Sequence, residues 1–210
     1  MSEATSKIDW QALQSRTKEV LGFLLEYFKN PIIGIRQVPE WDWPTVLIVQ
    51  GALSSICGML SGIVAQSFSG AILGFLFFPI SAIVTHFIVS GFFYYTFLFF
   101  YQSQVVFRKL YIITVLANLP FIVLTILSPL LRPITLIGLA VTGLLLLVGF
   151  VENFQLPKRS IARFLLILYA LYVLMWVVST LNLNKKETAF RKMATPESLD
   201  ILEKELKSDE

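Results

Sequence analysis

Residues 71–101 read AILGFLFFPISAIVTHFIVSGFFYYTFLFFY, apolar or aromatic almost throughout, with the chain's single histidine, His86, among them. They lie inside a longer run, Trp43 to Phe107, whose 65 residues include no Asp, Glu, Lys or Arg. An uncharged apolar run of about 18 residues already suffices to cross a bilayer, and a soluble core has no use for one so long. The sequence therefore predicts an all-α membrane protein, a bundle of about five transmembrane helices. As straight helix, residues 71–101 would reach about 46 Å, against a hydrocarbon core of about 30 Å. The run is too long for one span and too short for two. Pro79 divides it, leaving a full second span over Ile80–Tyr101. Ala71–Phe78 is then a lead-in turn, a kinked extension or half of a re-entrant hairpin, and a single kinked span is the expectation.

The remaining spans follow from the same pattern. Trp41, Trp43 and Pro44 mark a membrane boundary, because tryptophan prefers headgroup depth and proline suits a first helical turn. Span 1 covers about Thr45–Gln66, with Ser54, Gly58 and Gly62 at four-residue spacing. Small residues in this register let helix backbones approach closely, so span 1 is expected to be central. Span 3 covers about Leu110–Leu127, span 4 Ile134–Val151 and span 5 Phe164–Leu181. Gly138, Thr142, Gly143 and Gly149 are the close-packing candidates of span 4.

The membrane domain, residues 41–182, has polar flanks. In residues 1–40, positions 6–30 form an amphipathic helix with Trp10, Leu13, Val20, Leu21, Leu24 and Phe28 on one stripe. Ser6 and Asp9 make a capping box at its start, and Asn30-Pro31 ends it. Beside a span, such a helix is expected to lie in the membrane interface, with docking to a partner as the alternative. Residues 183–210 form a polar tail with a short soluble helix over Ser198–Leu206, capped at Thr195-Pro196. No cleavable signal peptide is expected, since the first 40 residues lack a short apolar core with a small-residue cleavage site.

Composition agrees: 56% of residues are hydrophobic and 15% charged, where about 25% charged is usual for soluble domains. The net charge of +3 comes from Lys and Arg flanking the spans, which points to headgroups and topology rather than nucleic acid. The connections place the N-terminus in the cytoplasm, whereas the basic tail favours both termini there. Five crossings put the tail outside, and a segment folding back after Gly70 brings it inside. The one cysteine, Cys57, permits no intramolecular disulfide.

Four polar residues in or at the membrane are candidates for function: His86, Asn118, Glu152 and Asn153. An ionisable group at membrane depth is costly and often functional, so His86 suggests a proton or ligand role, against simple hydrogen bonding through Thr85 or Ser81. Asn118 with Pro120 suggests a kink with an interhelical hydrogen bond. Glu152 is expected to pair with Arg108 or Lys109, and Arg132 to snorkel to headgroups. No Ser-His-Asp set, carboxylate pair, phosphate loop or Cys/His cluster occurs, so no enzyme, cofactor or metal is expected.

Several local motifs in order resemble the Yip-domain family of five-span membrane proteins. They are Phe28-Lys29-Asn30-Pro31, then Phe107-Arg108-Lys109-Leu110-Tyr111 leading to Ala117-Asn118-Leu119-Pro120. Glu152-Asn153 and the stretch from Leu156-Pro157-Lys158-Arg159 to Arg163 complete the set. The resemblance covers about residues 27–182. It implies five spans, a cytoplasmic N-terminus and no catalytic residues. Eukaryotic members interact with Rab-type GTPases through a long N-terminal region with an Asp-Leu-Tyr-Gly-Pro motif that this chain lacks, which implies a bacterial cytoplasmic membrane instead. The expected function is a scaffold or adaptor, partnered by the lipid bilayer and by a second copy or another membrane protein. The alternative is a small transporter or channel component for a lipid or small solute, with Pro79, His86, Asn118 and Glu152 lining one cavity.

Overall fold

The computed structural model describes residues 10–131 and 133–193, with side chains over 17–131 and 133–181. Every regular element among them is helical: α1 (Trp10–Lys29), α2 (Pro31–Arg36), α3 (Trp43–Val64), α4 (Phe68–Phe100), α5 (Phe107–Leu124), α6 (Ile134–Phe154) and α7 (Lys158–Met193), with a 3-10 turn at Thr125–Leu127. Five of these segments, from α3 onward, are long and apolar enough to cross a membrane. The chain forms two compact units, Met1–Leu166 and Ile167–Glu210. The capping box at Ser6, the placement of Arg132 and the helix over Ser198–Leu206 lie outside the described residues.

The tightest helix pair is α3 with α4. The Asp42 carboxylate accepts from the Thr45 amide at 3.2 Å and starts α3, while Pro44 occupies its first turn. Gln66 reverses the chain in the left-handed region, and Ser67 caps α4 by accepting from the Gly70 amide at 3.0 Å. A Cβ added to Gly58 would run into the Gly74 carbonyl, and one added to Gly62 would meet the Ala71 backbone. The small-residue stripe thus does bring two backbones together. It does so on one side only, for Ile48, Ile56 and Ile63 on α3 remain exposed. The helix surrounded on every side is α5, where Leu110 to Ala117 are buried without a gap. A helix apolar all round belongs in the middle, so α5 rather than span 1 is the surrounded helix, while span 1 packs on neighbours, α4 and α5, as expected.

One continuous helix, α4, holds both halves of the opening stretch, with Pro79 inside it. No hairpin turns back at Pro79, so the expected single span stands and Ala71–Phe78 belongs to it. At 33 residues the helix reaches about 50 Å, a length that a bilayer accommodates by tilt. On α6, Gly138 packs on Phe121, and Gly149 on Ile113 and Ile35, whereas Gly143 meets nothing within 4 Å. Three of the four expected contact positions therefore face neighbours, with Thr142 also buried.

The N-terminal segment differs most from expectation. Lys29 does end α1, but Asn30 then caps a second helix, its side chain accepting from the Ile33 amide at 3.4 Å with Pro31 in first position. The two helices pack on one another and α2 packs on α5 and α6. Among the described side chains of α1, Leu24 and Tyr27 are buried, while Leu21, Leu25 and Phe28 are exposed. Trp41 meets Phe23 edge-on at 5.3 Å and is buried.

Candidate functional site

His86 is the centre of a polar cluster that ties three helices together. Its Nδ1 lies 3.1 Å from the amide end of Gln50 on α3 and 2.6 Å from the Ala82 carbonyl one turn back. The Tyr111 hydroxyl, from α5, donates to Gln50 at 2.6 Å. All three side chains are buried. The Ala82 carbonyl can only accept, so the short contact places the ring proton on Nδ1. Neither Thr85 nor Ser81 takes part, which corrects the expected partners. Trp43 stacks on Phe87 at 5.6 Å, and both rings lie against Tyr111, at 5.2 Å and 4.6 Å, closing the cluster with aromatic rings.

A second polar contact anchors α1. Pro120 has no N–H, so the Leu116 carbonyl four residues earlier lacks its ordinary helical partner. The Tyr27 hydroxyl donates to that carbonyl at 2.5 Å, with the whole ring buried. In surroundings where few groups can replace a missing backbone donor, a side chain from another helix supplies it. Burial also pushes the Tyr27 phenol well above its ordinary range. Two residues before Pro120, Asn118 accepts from Thr142 of α6 at 3.3 Å, the interhelical bond expected of it.

The remaining candidates fix α2. Asn153 donates to the Ile35 carbonyl and to the Gly149 carbonyl, each at 3.0 Å. Glu152 faces Arg36 of α2 at 3.7 Å, with both side chains about half exposed. Its partner is therefore neither Arg108 nor Lys109. The two candidates that do come together are Glu152 and Asn153 of α6, which both engage α2. His86 and Asn118 have other partners. No group of three or more His, Cys, Asp or Glu placed to hold a metal occurs among the described residues.

Sequence reading missed Gln50, Tyr111, Tyr27 and Arg36. Gln50 carried a signal, being a lone amide inside the apolar run of span 1. Pro120 implied an unpartnered carbonyl at Leu116, but nothing in the sequence named its donor.

The family model described as the Yip1 domain matches residues 30–181. The chain belongs to the Yip1-domain family. The matched region opens at Asn30, the cap of α2, and runs through all five spans, so in this Yip1-domain chain α2 is part of the domain and α1 precedes it. The Yip1 family is a family of membrane proteins not known for enzymatic activity. No curated protein and no solved structure matches the chain.

Proposed function

We propose that this Yip1-domain protein is a non-enzymatic membrane scaffold, whose bundle holds the α1–α2 segment in the membrane interface and presents it to a partner. The observation that carries this reading is the use of the buried polar groups. Tyr27 engages the Leu116 carbonyl and Asn153 engages the Ile35 carbonyl, so polar atoms serve to fix α1 and α2 in one position. The outward stripe of Leu21, Leu25 and Phe28 supports an interfacial setting, because exposed apolar side chains on a docked helix are favoured in lipid. The same reading puts the N-terminus in the cytoplasm and the protein in a bacterial cytoplasmic membrane.

The transporter reading has less to stand on. Pro79 lies on α4, while His86, Asn118 and Glu152 engage Gln50, Thr142 and Arg36 respectively. These are separate contacts. Pull-down of the tagged protein from native membranes, with identification of what co-purifies, tests the scaffold. A stoichiometric partner or a homo-oligomer is expected, and a monodisperse monomer without a partner contradicts it.

A further inference from the structure

We infer that the end of the bundle carrying α1 and α2 is a binding surface for anionic phospholipid, with its headgroup phosphate at Arg36. This inference does not depend on the scaffold reading. Several contacts define that end. Trp43 and Phe107 place the starts of α3 and α5 together, 6.0 Å between rings. Phe97 and Phe154 join the ends of α4 and α6, and Tyr101 meets Ser160 at 3.1 Å beside the start of α7. Arg36, Arg108, Lys158 and Arg159 are exposed there, with Lys109 half-buried. The acidic groups are fewer: Asp42 accepts from the Thr45 amide, Glu19 and Glu26 on α1 and Glu40 are exposed, and Glu152 faces Arg36. In sequence, the connections at the opposite end hold one charged residue, Arg132.

Charge alone would make a diffuse attraction. The apolar surface beside Arg36 gives it a shape suited to a lipid. Ile32 and Ile33, within a turn of Arg36 on α2, are about half exposed, as are Leu21, Leu25 and Phe28 on α1. Lys29, between the two helices, is exposed as well. A basic side chain with flanking apolar ones matches a phosphate with acyl chains attached, and a soluble anion would use only the first. The Arg36–Glu152 contact, at 3.7 Å and half exposed, is a weak ion pair that leaves the guanidinium donors free for phosphate.

The test is made on the full chain in phosphatidylcholine nanodiscs with and without phosphatidylglycerol, reading thermal midpoint and, by native mass spectrometry, retained lipid. Phosphatidylglycerol should be retained selectively and should raise the midpoint. Arg36→Gln and Lys29→Gln should each reduce that selectivity roughly fivefold, the usual worth of one basic group near anionic lipid. Arg36→Lys should keep most of it. Glu152→Gln separates binding from structure, because it breaks the ion pair yet frees Arg36, and selectivity should hold or rise. Equal retention of both lipids overturns the inference. So does a loss in Glu152→Gln equal to that in Arg36→Gln. Inorganic phosphate added to phosphatidylcholine discs should do nothing, and a midpoint shift matching that of phosphatidylglycerol would assign the site to free anions.

Discussion

The Tyr27 hydroxyl donates at 2.5 Å to the Leu116 carbonyl, the acceptor that an N–H at residue 120 would have used. One proline in α5 thereby creates the acceptor that holds α1. The backbone defect and the docking of the N-terminal helix are a single feature.

That relationship predicts coupling. Tyr27→Phe keeps the ring and leaves the carbonyl unmet, at a cost of about 1 kcal/mol. In a Pro120→Ala background the alanine N–H can take the carbonyl, so the same substitution should cost much less. A double-mutant cycle in detergent, followed by unfolding, measures the difference. Equal costs in both backgrounds would show that Tyr27 contributes through packing alone.

The same phenol predicts an alkaline limit. Burial raises its pKa above the ordinary 10.0, so the fold favours the neutral form. Its contribution is complete below pH 10 and is lost as pH climbs toward the raised value. Tyrosinate absorbance of wild type minus Tyr27→Phe should be silent at pH 10 and should appear only at higher pH, as α1 leaves the bundle. A titration centred at 10 would contradict the buried position.

The α3–α4 pair predicts intolerance at Gly58. A side chain there meets the backbone carbonyl of Gly74, which cannot rotate away. Gly58→Leu should cost at least about 3 kcal/mol, the upper part of the usual overpacking range. Gly143→Leu, on α6 with nothing within 4 Å, should cost little. Thermal midpoints of the two variants in the same detergent provide the comparison, and similar losses would refute the close contact.

How much of this was legible in the sequence follows from what decides each feature. Membrane crossing depends on contiguous hydrophobicity, so all five spans were readable, including the one interrupted by Pro79. Close approach depends on missing side chains, and Gly58, Gly62 and Gly149 announced it. Which helix is surrounded is a tertiary outcome: α5 and α3 both read as apolar, and only packing places α5 within. Polar pairing was least legible. His86 was identified as a candidate, but its partner Gln50 lies 36 residues away and Tyr111 another 61 from Gln50. Within α1 the stripe was read through Leu21 and Phe28, whereas Tyr27 is the residue that turns inward, because its hydroxyl has an acceptor waiting.

Topology can be tested independently of function. With Cys57 replaced by Ser, single cysteines at Ser2 and Ser208 should react with an impermeant thiol reagent from opposite faces of the membrane. Labelling from one face would mean that one of the five apolar helices does not cross.

The scaffold itself is tested most directly by pull-down from native membranes of wild type beside Tyr27→Ala, with insertion of both proteins confirmed. Wild type should bring down a second copy or another membrane protein at fixed stoichiometry, and Tyr27→Ala, with α1 released, should lose it. A wild-type protein recovered as a monodisperse monomer would contradict the scaffold, and equal recovery by both proteins would show that α1 is not the element presented.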